Sequence, residues 1–163
     1  MMLTAERVRA LLAYDPLLGT LTWRVKRSNA VPAGSVAGSI RLDGYRFVEV
    51  DGRAYPAHRL AWLHTYGEWP SLHVDHADGD KLNNRIANLR EATRAQNLGN
   101  SRRSRANTSG FKSVHQRPNG RWQARIPVDG KRVSLGHFDT KEEAHAAYAA
   151  AARGVYGEFA RAG

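Results

Sequence analysis

Hydrophobic and polar positions follow several rhythms along this chain. In "TAERVRALLAY" Val8, Leu11 and Leu12 fall on one helical face and Thr4 stands at the N-cap, which predicts a helix ended by Pro16 and Gly19. "GTLTWRV" reads as a strand, and the small residues of "NAVPAGSVAGS" as a loop or irregular strand entry. From Ser39 the period drops to two. "SIRL", "YRFVEV" and "RAY" form a meander with turns at Asp43-Gly44 and Asp51-Gly52, a pair that tolerates positive φ. "PAHRLAWLHTYG" returns to helical spacing, with Pro56 in its first turn, Gly67 at its stop and Ala57, Leu60, Ala61 and His64 on one face. A short strand "LHV", a loop "ADGDKLNN" and a return strand "NLREAT" follow. Thr93 and Gln96 then stand at capping-box spacing and open another helix.

The last third has the clearest alternation. "FKSVHQR", "RWQARIPV" and "KRVSLG", separated by "PNG" and "DG", predict three antiparallel strands. With Asp129-Gly130 as a two-residue turn, Ile126 faces Val133, Ala124 faces Leu135, and Arg125 faces Ser134. One sheet face is then apolar, while the other carries Arg121, Gln123, Arg125, Arg132 and Ser134. Thr140 and Glu143 form a second capping box. The small stripe Ala144, Ala147, Tyr148 and Ala151 lets the helix lie on the apolar face.

Charge changes the picture. The 163 residues suit one domain or two small ones, and 25 Lys and Arg against 15 Asp and Glu give a net charge of +10. Between Gly99 and His137 there are nine basic residues and one acid. Such clustering is the footprint of a polyanion partner, nucleic acid above all. Residues 101–109, with Arg102, Arg103 and Arg105, read as a basic linker that orders against DNA. The absence of cysteine excludes disulfides, thiolate zinc sites and thiol nucleophiles, and fits a reducing interior. No run reaches the ~18 apolar residues of a membrane span, and the N-terminus has no signal-peptide pattern. A soluble, intracellular protein is expected.

The chemistry concentrates in "HVDHADGDKLNNRIANLREATRAQN", residues 73–97. From residue types alone three readings stand: turn and cap residues, a hard cation held by Asp75 and the amide oxygen of Asn97, or acid–base chemistry on a negatively charged partner. An EF-hand is excluded, because Gly79 at its sixth position puts Val74 first and Arg85 twelfth. His73 reads as an outward strand residue, Asp78 and Asp80 as loop-turn residues, and Asn83 and Asn84 as caps of "RIANL". His58 reads as a hydrogen-bonded helix-start histidine.

"AHRLAW…VDHADGDKLNNRIANLREATRAQN" resembles the HNH nuclease motif of phage and homing endonucleases, and most of residues 10 to 100 share in the likeness. The resemblance implies a ββα-metal fold and metal-dependent DNA hydrolysis to 5′-phosphate and 3′-hydroxyl ends. His76 would be the general base, Asn88 the loop-holding asparagine, and Asp75 and Asn97 the ligands of one Mg²⁺ or Mn²⁺. Many relatives have histidine at the position of Asn97, and the homing subgroup has asparagine. An asparagine there argues for a hard, weakly held ion; the alternative is a weakened enzyme.

"GRWQARI", "LGHFDTKEEAHAAY" and "GEFA" carry a second resemblance, to the APETALA/ethylene-response-factor DNA-binding domain, from about Ser109 to Ala160. It implies a sheet that docks in the major groove of double-stranded DNA. The position-matched contacts are Lys112, His115, Arg117, Asn119, Arg121, Arg125, Arg132 and Ser134. That family usually has aromatic residues where this chain has Asn119 and Ser134, and arginine where it has His115, so a different site preference is expected.

The expected whole is an α+β protein. An HNH nuclease domain at 1–100, with core motif 56–100, is joined by the linker at 101–109 to a sheet-plus-helix DNA-binding domain at 110–163. It would work as a monomer that nicks DNA in the cytoplasm of a bacterium or phage-infected host. The rival readings are a DNA-binding protein with a degenerate HNH fold and a structure-specific phage nuclease.

Overall fold

The structure is a computed structural model that describes residues 2–104 and 106–161. It is a mixed α and β protein in which the described residues form four α-helices and four small sheets. None of these helices is long and apolar enough to cross a membrane. Two compact units divide the chain, Met1–Glu91 and Ala92–Gly163.

In the first unit α1 (Ala5–Leu11) starts where the Thr4 side chain accepts from the Arg7 N–H. The helical pattern continues through Tyr14, but the helix stops at Leu11. The next four residues are strand β1 (Leu12–Asp15), paired with β2 (Thr20–Trp23) so that Leu12 meets Trp23. Proline at 16 disfavours helical backbone at Asp15. The Asp15 carboxylate accepts from the N–H groups of Leu17 and Leu18, turning "PLLG" into a hairpin tip.

Strands β3 (Ser39–Ile40), β4 (Arg46–Val50) and β5 (Arg53–Pro56) form the meander, in the order β3-β4-β5. Asp51 and Gly52 both take positive φ in its second turn. Helix α2 (Ala57–Tyr66) ends at Gly67, which is left-handed at φ 84. Its Leu60 and Leu63 bury with Val8, Leu12, Val48 and Val50 in the main core. Ala61, on another stripe of α2, joins Val74 and Leu89 in a second cluster beneath strands β6 (His73–His76) and β7 (Leu89–Ala92).

In the second unit α3 (Arg94–Asn100) opens on the complete Thr93–Gln96 capping box. Strands β8 (Val114–Gln116), β9 (Trp122–Val128) and β10 (Lys131–Phe138) follow in the order β10-β9-β8, backed by α4 (Lys141–Tyr156) with its own Thr140–Glu143 box. The buried residues of α4 are Ala144, Tyr148, Ala152 and Tyr156, an i+4 row; Ala147 and Ala151 flank it, half-buried. Gly99 lets α3 meet α4, because a Cβ there would lie 2.5 Å from the Tyr156 ring. The compact units divide before α3, not at residue 100, and the nominal linker is partly structured. Asn107 donates to the carbonyls of Phe111 and Val114, and Ser109 is buried.

The strand register needs one correction. Val133 pairs with Ile126 and Ser134 with Arg125, but Ala124 pairs with Gly136, not Leu135. Leu135 is the extra residue of a β-bulge, which flips the faces beyond it. Phe138 therefore reaches the apolar core, and His137 comes opposite Gln123 on the polar face.

Candidate active site and nucleic-acid face

Strand β6 ends on Asp75 and His76, only 5% and 4% exposed. Two such polar groups need partners at these depths. His76 Nε2–H donates to the side-chain oxygen of Asn84 at 3.0 Å. An amide oxygen only accepts, so this contact has Nε2 as donor, and in that neutral tautomer Nδ1 would be the acceptor nitrogen. Asp75 Oδ2 accepts from Arg90 Nε at 3.1 Å, across the β6–β7 sheet.

Asn84 is itself held from the first hairpin. The Tyr14 hydroxyl donates to the Asn84 carbonyl at 2.7 Å. Burial pushes that hydroxyl up to about 12, so it stays a neutral donor. Arg85 Nε donates to the Leu17 carbonyl at 2.6 Å, and a Cβ at Gly19 would collide with the backbone of Asn84 and Arg85. The strand that sequence periodicity assigned to a helix thus braces the residue that orients His76.

The loop between β6 and β7 is clasped by Asn88. Its amide donates to Asp78 and to the Asn83 carbonyl, and its oxygen accepts from the Asp78 N–H. Asp78 also accepts from the Asp80 N–H and the Asn83 amide. Burial opposes ionisation of Asp78, but the bonds from Asn83, Asp80 and Asn88 outweigh it and hold its carboxyl below the usual range. Asn83, at the loop's end, is a turn residue. Asn84, read as another cap, points instead to His76 and is 3% exposed. Nothing in the dipeptide distinguishes the two; only the fold does.

His58, in the first turn of α2, packs edge-on to His76 with ring centres 5.0 Å apart. Tyr45 lies against both rings, at 5.4 and 6.0 Å, and Lys81 Nζ sits 4.5 Å above the Tyr45 ring. Burial first, then the fields of His76 and Arg59, pull His58 down to about 3, so it is a neutral ring. His73 is exposed. Asn97 is half-buried on α3, in the second unit. Among the described residues no three His, Asp or Glu side chains converge on a metal position.

On the three-stranded sheet, His115, Gln123 and His137 form one cross-strand row. Arg125 and Ser134 form the next. His115, Arg117, Asn119, Arg121, Arg132 and Ser134 are exposed, and Arg125 is half-buried. Arg121 donates to the His137 carbonyl and pairs with Asp139 at 3.2 Å, while Asn119 accepts from the Arg121 N–H. Arg102 and Arg103 are exposed; Arg105 lies outside the described residues.

Lys112 departs from the expectation. It is 7% exposed, and its ammonium donates to the carbonyls of Gly99 and Leu98 at the end of α3. Burial, with the field of Arg161, lowers it to about 8. Lys112 is an internal tie, not part of the exposed basic face. His137, on that face, was missed because the bulge was missed. Gly136 inside the strand was the available signal, since an interior glycine marks bulges.

A family model described as HNH endonuclease matches residues 55–98, and one described as AP2 domain matches residues 109–158. Protein 3.8 of Escherichia phage T7 is 30% identical over 106 residues, covering 64% of this chain and 87% of that protein. An uncharacterized HNH endonuclease of Acanthamoeba polyphaga mimivirus is 35% identical over 95 residues. That match covers 58% of this chain and 49% of the relative, so the chain spans about half the relative's length. The dehydration-responsive element-binding protein 2D of Arabidopsis thaliana is 51% identical over 49 residues, 29% of this chain and 24% of its own. Among solved structures, that of the HNH homing endonuclease I-HmuI, from work on DNA binding and cleavage, has a TM-score of 0.41 at 27% identity. It covers 55% of this chain and 51% of that one.

Proposed function

Because the chain belongs to the HNH endonuclease family and carries an AP2 domain, we propose that it is a metal-dependent, homing-type DNA endonuclease. It hydrolyses one phosphodiester bond per event and is positioned by its C-terminal sheet. The observation that carries this reading is the buried His76 ring at the end of β6, beside Asp75 and oriented by Asn84 at 3.0 Å.

His76 takes the proton of a water at Nδ1, and the hydroxide attacks phosphorus in line. Asn84 holds the ring from the far side, and Asn88 keeps the Asp78–Asn83 loop closed. The Asp75 carboxylate would supply an anionic hard oxygen to one Mg²⁺ or Mn²⁺, leaving positions for water and phosphate. Such an ion, when bound, would supply Lewis-acid stabilisation of charge at the phosphate and the leaving oxygen. Products carry 5′-phosphate and 3′-hydroxyl ends. With one such site, a monomer nicks one strand of double-stranded DNA. The setting is intracellular, in a bacterial or phage-infected cytoplasm, as the phage relative supports.

Exposed Arg102, Arg103, Arg117, Arg121 and Arg132 give the sheet and its approach a field suited to phosphates. The rival reading, a DNA-binding protein with a degenerate HNH fold, draws on one observation: Arg90 already engages the Asp75 carboxylate. Supercoiled plasmid incubated with Mg²⁺, Mn²⁺ or EDTA, beside His76→Ala, tests the two. Metal-dependent open circles lost in the variant support the nuclease. Nicking that persists in purified His76→Ala removes His76 as the base. Binding without nicking on a library that contains its selected site supports the rival.

A further inference from the structure

The sheet face contains a side-chain relay that acts on Arg125. Arg125 Nε donates to Gln123 Oε1 at 3.0 Å, and Gln123 Nε2 donates to Ser134 Oγ at 3.0 Å. Gln123 and Arg125 lie two residues apart on β9, hence on one face. Ser134 is the cross-strand partner of Arg125 on β10, so Gln123 bridges the two. The orientation of the amide is forced. A guanidinium has only donors, so the end of Gln123 that meets it must be the oxygen. Gln123 is 6% exposed, sitting between His115 and His137. A buried amide has no water to exchange with, which pins it in this arrangement.

The consequence falls on how Arg125 can read DNA. An arginine can fork onto guanine O6 and N7 through Nε with one Nη, or through Nη1 and Nη2. Gln123 takes Nε and leaves the Nη edge. Among the described residues that edge has no protein acceptor. We infer that Gln123 is a specificity-determining positioning residue, which locks Arg125 so that its Nη1–Nη2 edge selects a guanine in the major groove. Ser134 is the anchor of this lock. Lysine could not replace Arg125, because it has no fork.

This inference rests on the proposal that the sheet binds DNA. The test separates the two. The full chain, in EDTA so that no strand is cut, is used to select sites from a randomised duplex library. Discrimination at each selected guanine is then measured by competition with duplexes carrying 7-deazaguanine, which lacks the N7 acceptor. A bidentate contact discriminates by about 5- to 150-fold. Arg125→Ala is expected to lose that discrimination at one guanine, and Gln123→Ala to lose at least about five-fold at the same guanine. Gln123→Glu should retain it, because its carboxylate still accepts from Nε. Ser134→Ala, at an exposed position, should give a smaller loss there and does not depend on whether Gln123→Ala folds. Loss in Arg125→Ala with full discrimination in Gln123→Ala or, should that variant not fold, in Ser134→Ala overturns the relay while the sheet reading stands. If Arg125→Ala keeps wild-type discrimination at every selected guanine, the relay falls while the sheet reading stands; if the wild type selects no site, the sheet reading falls and the relay with it.

Discussion

The two units place their chemistry at opposite depths. In the first, Asp75, His76, Asn84 and His58 are buried and held by defined contacts. In the second, most candidate contacts are exposed side chains on strands and turns. A buried site is fragile because a lost partner leaves a polar group with neither protein nor water. An exposed cationic face is tolerant because each residue contributes a small share of a long-range field. Single substitutions should therefore be severe in the first unit and graded in the second, outside the Gln123–Arg125 relay.

The largest effect is expected at His76. His76→Ala should lower the nicking rate about 10²–10⁴-fold, with DNA affinity in EDTA unchanged. Gel-based plasmid kinetics and fluorescence anisotropy read the two quantities separately. Equal loss of both would place His76 in binding and erase the division between the units.

Asn84→Ala comes next. The variant strands the buried Nε2–H and releases the ring, so nicking should fall by up to about 10²-fold. Thermal unfolding should show a loss of about 1–3 kcal/mol. An asparagine that merely capped the following turn would cost stability without reaching the rate. The ratio of the two effects therefore decides its role.

Lys112 sharpens the comparison, because it is the buried exception in the exposed unit. Lys112→Met should cost about 1–3 kcal/mol through its lost bonds to Gly99 and Leu98, and leave the salt dependence of DNA binding unchanged. Its folded-state amine is lowered to about 8 from an ordinary 10.5. Between those values the unfolded chain binds more protons, so wild-type stability rises with pH across that window. Denaturant melts from about pH 7 to about pH 10.5 should show that rise in the wild type relative to the variant. A flat difference would mean that the amine is as well solvated folded as unfolded.

What could be read in advance divides along the same line. Alternation in "RWQARIPV" and "KRVSLG" gave away the strands and most of the polar face, because a period of two is a local property. The bulge at Leu135 is one residue long and moved His137 and Phe138 to opposite faces. Its only trace is Gly136. In the first unit the motif around His76 was visible as a resemblance, and the geometry around it was not. Asn84 reaches His76 through a loop, and Tyr14 reaches Asn84 from 70 residues away in sequence. Tyr14 can do so only because "LAYD" is a strand. Its own pattern fits a helix, and pairing with Thr20–Trp23 decides otherwise.

The smallest effect is expected at Arg102, and it tests whether the exposed region behaves as a field. Arg102 is exposed and lies two residues past α3. A single phosphate contact on duplex DNA contributes about 0.9 to the slope of log affinity against log salt. Arg102→Ala should therefore reduce that slope by about 1 at most, weaken all duplexes alike, and leave the selected site unchanged. Anisotropy titrations across salt concentrations, with selected and scrambled duplexes, measure both. Loss confined to the selected duplex would mean that the segment at 101–109 reads bases and that sequence choice is shared with it. Equal loss on both would confine base reading to the sheet, where Arg125 is held in place.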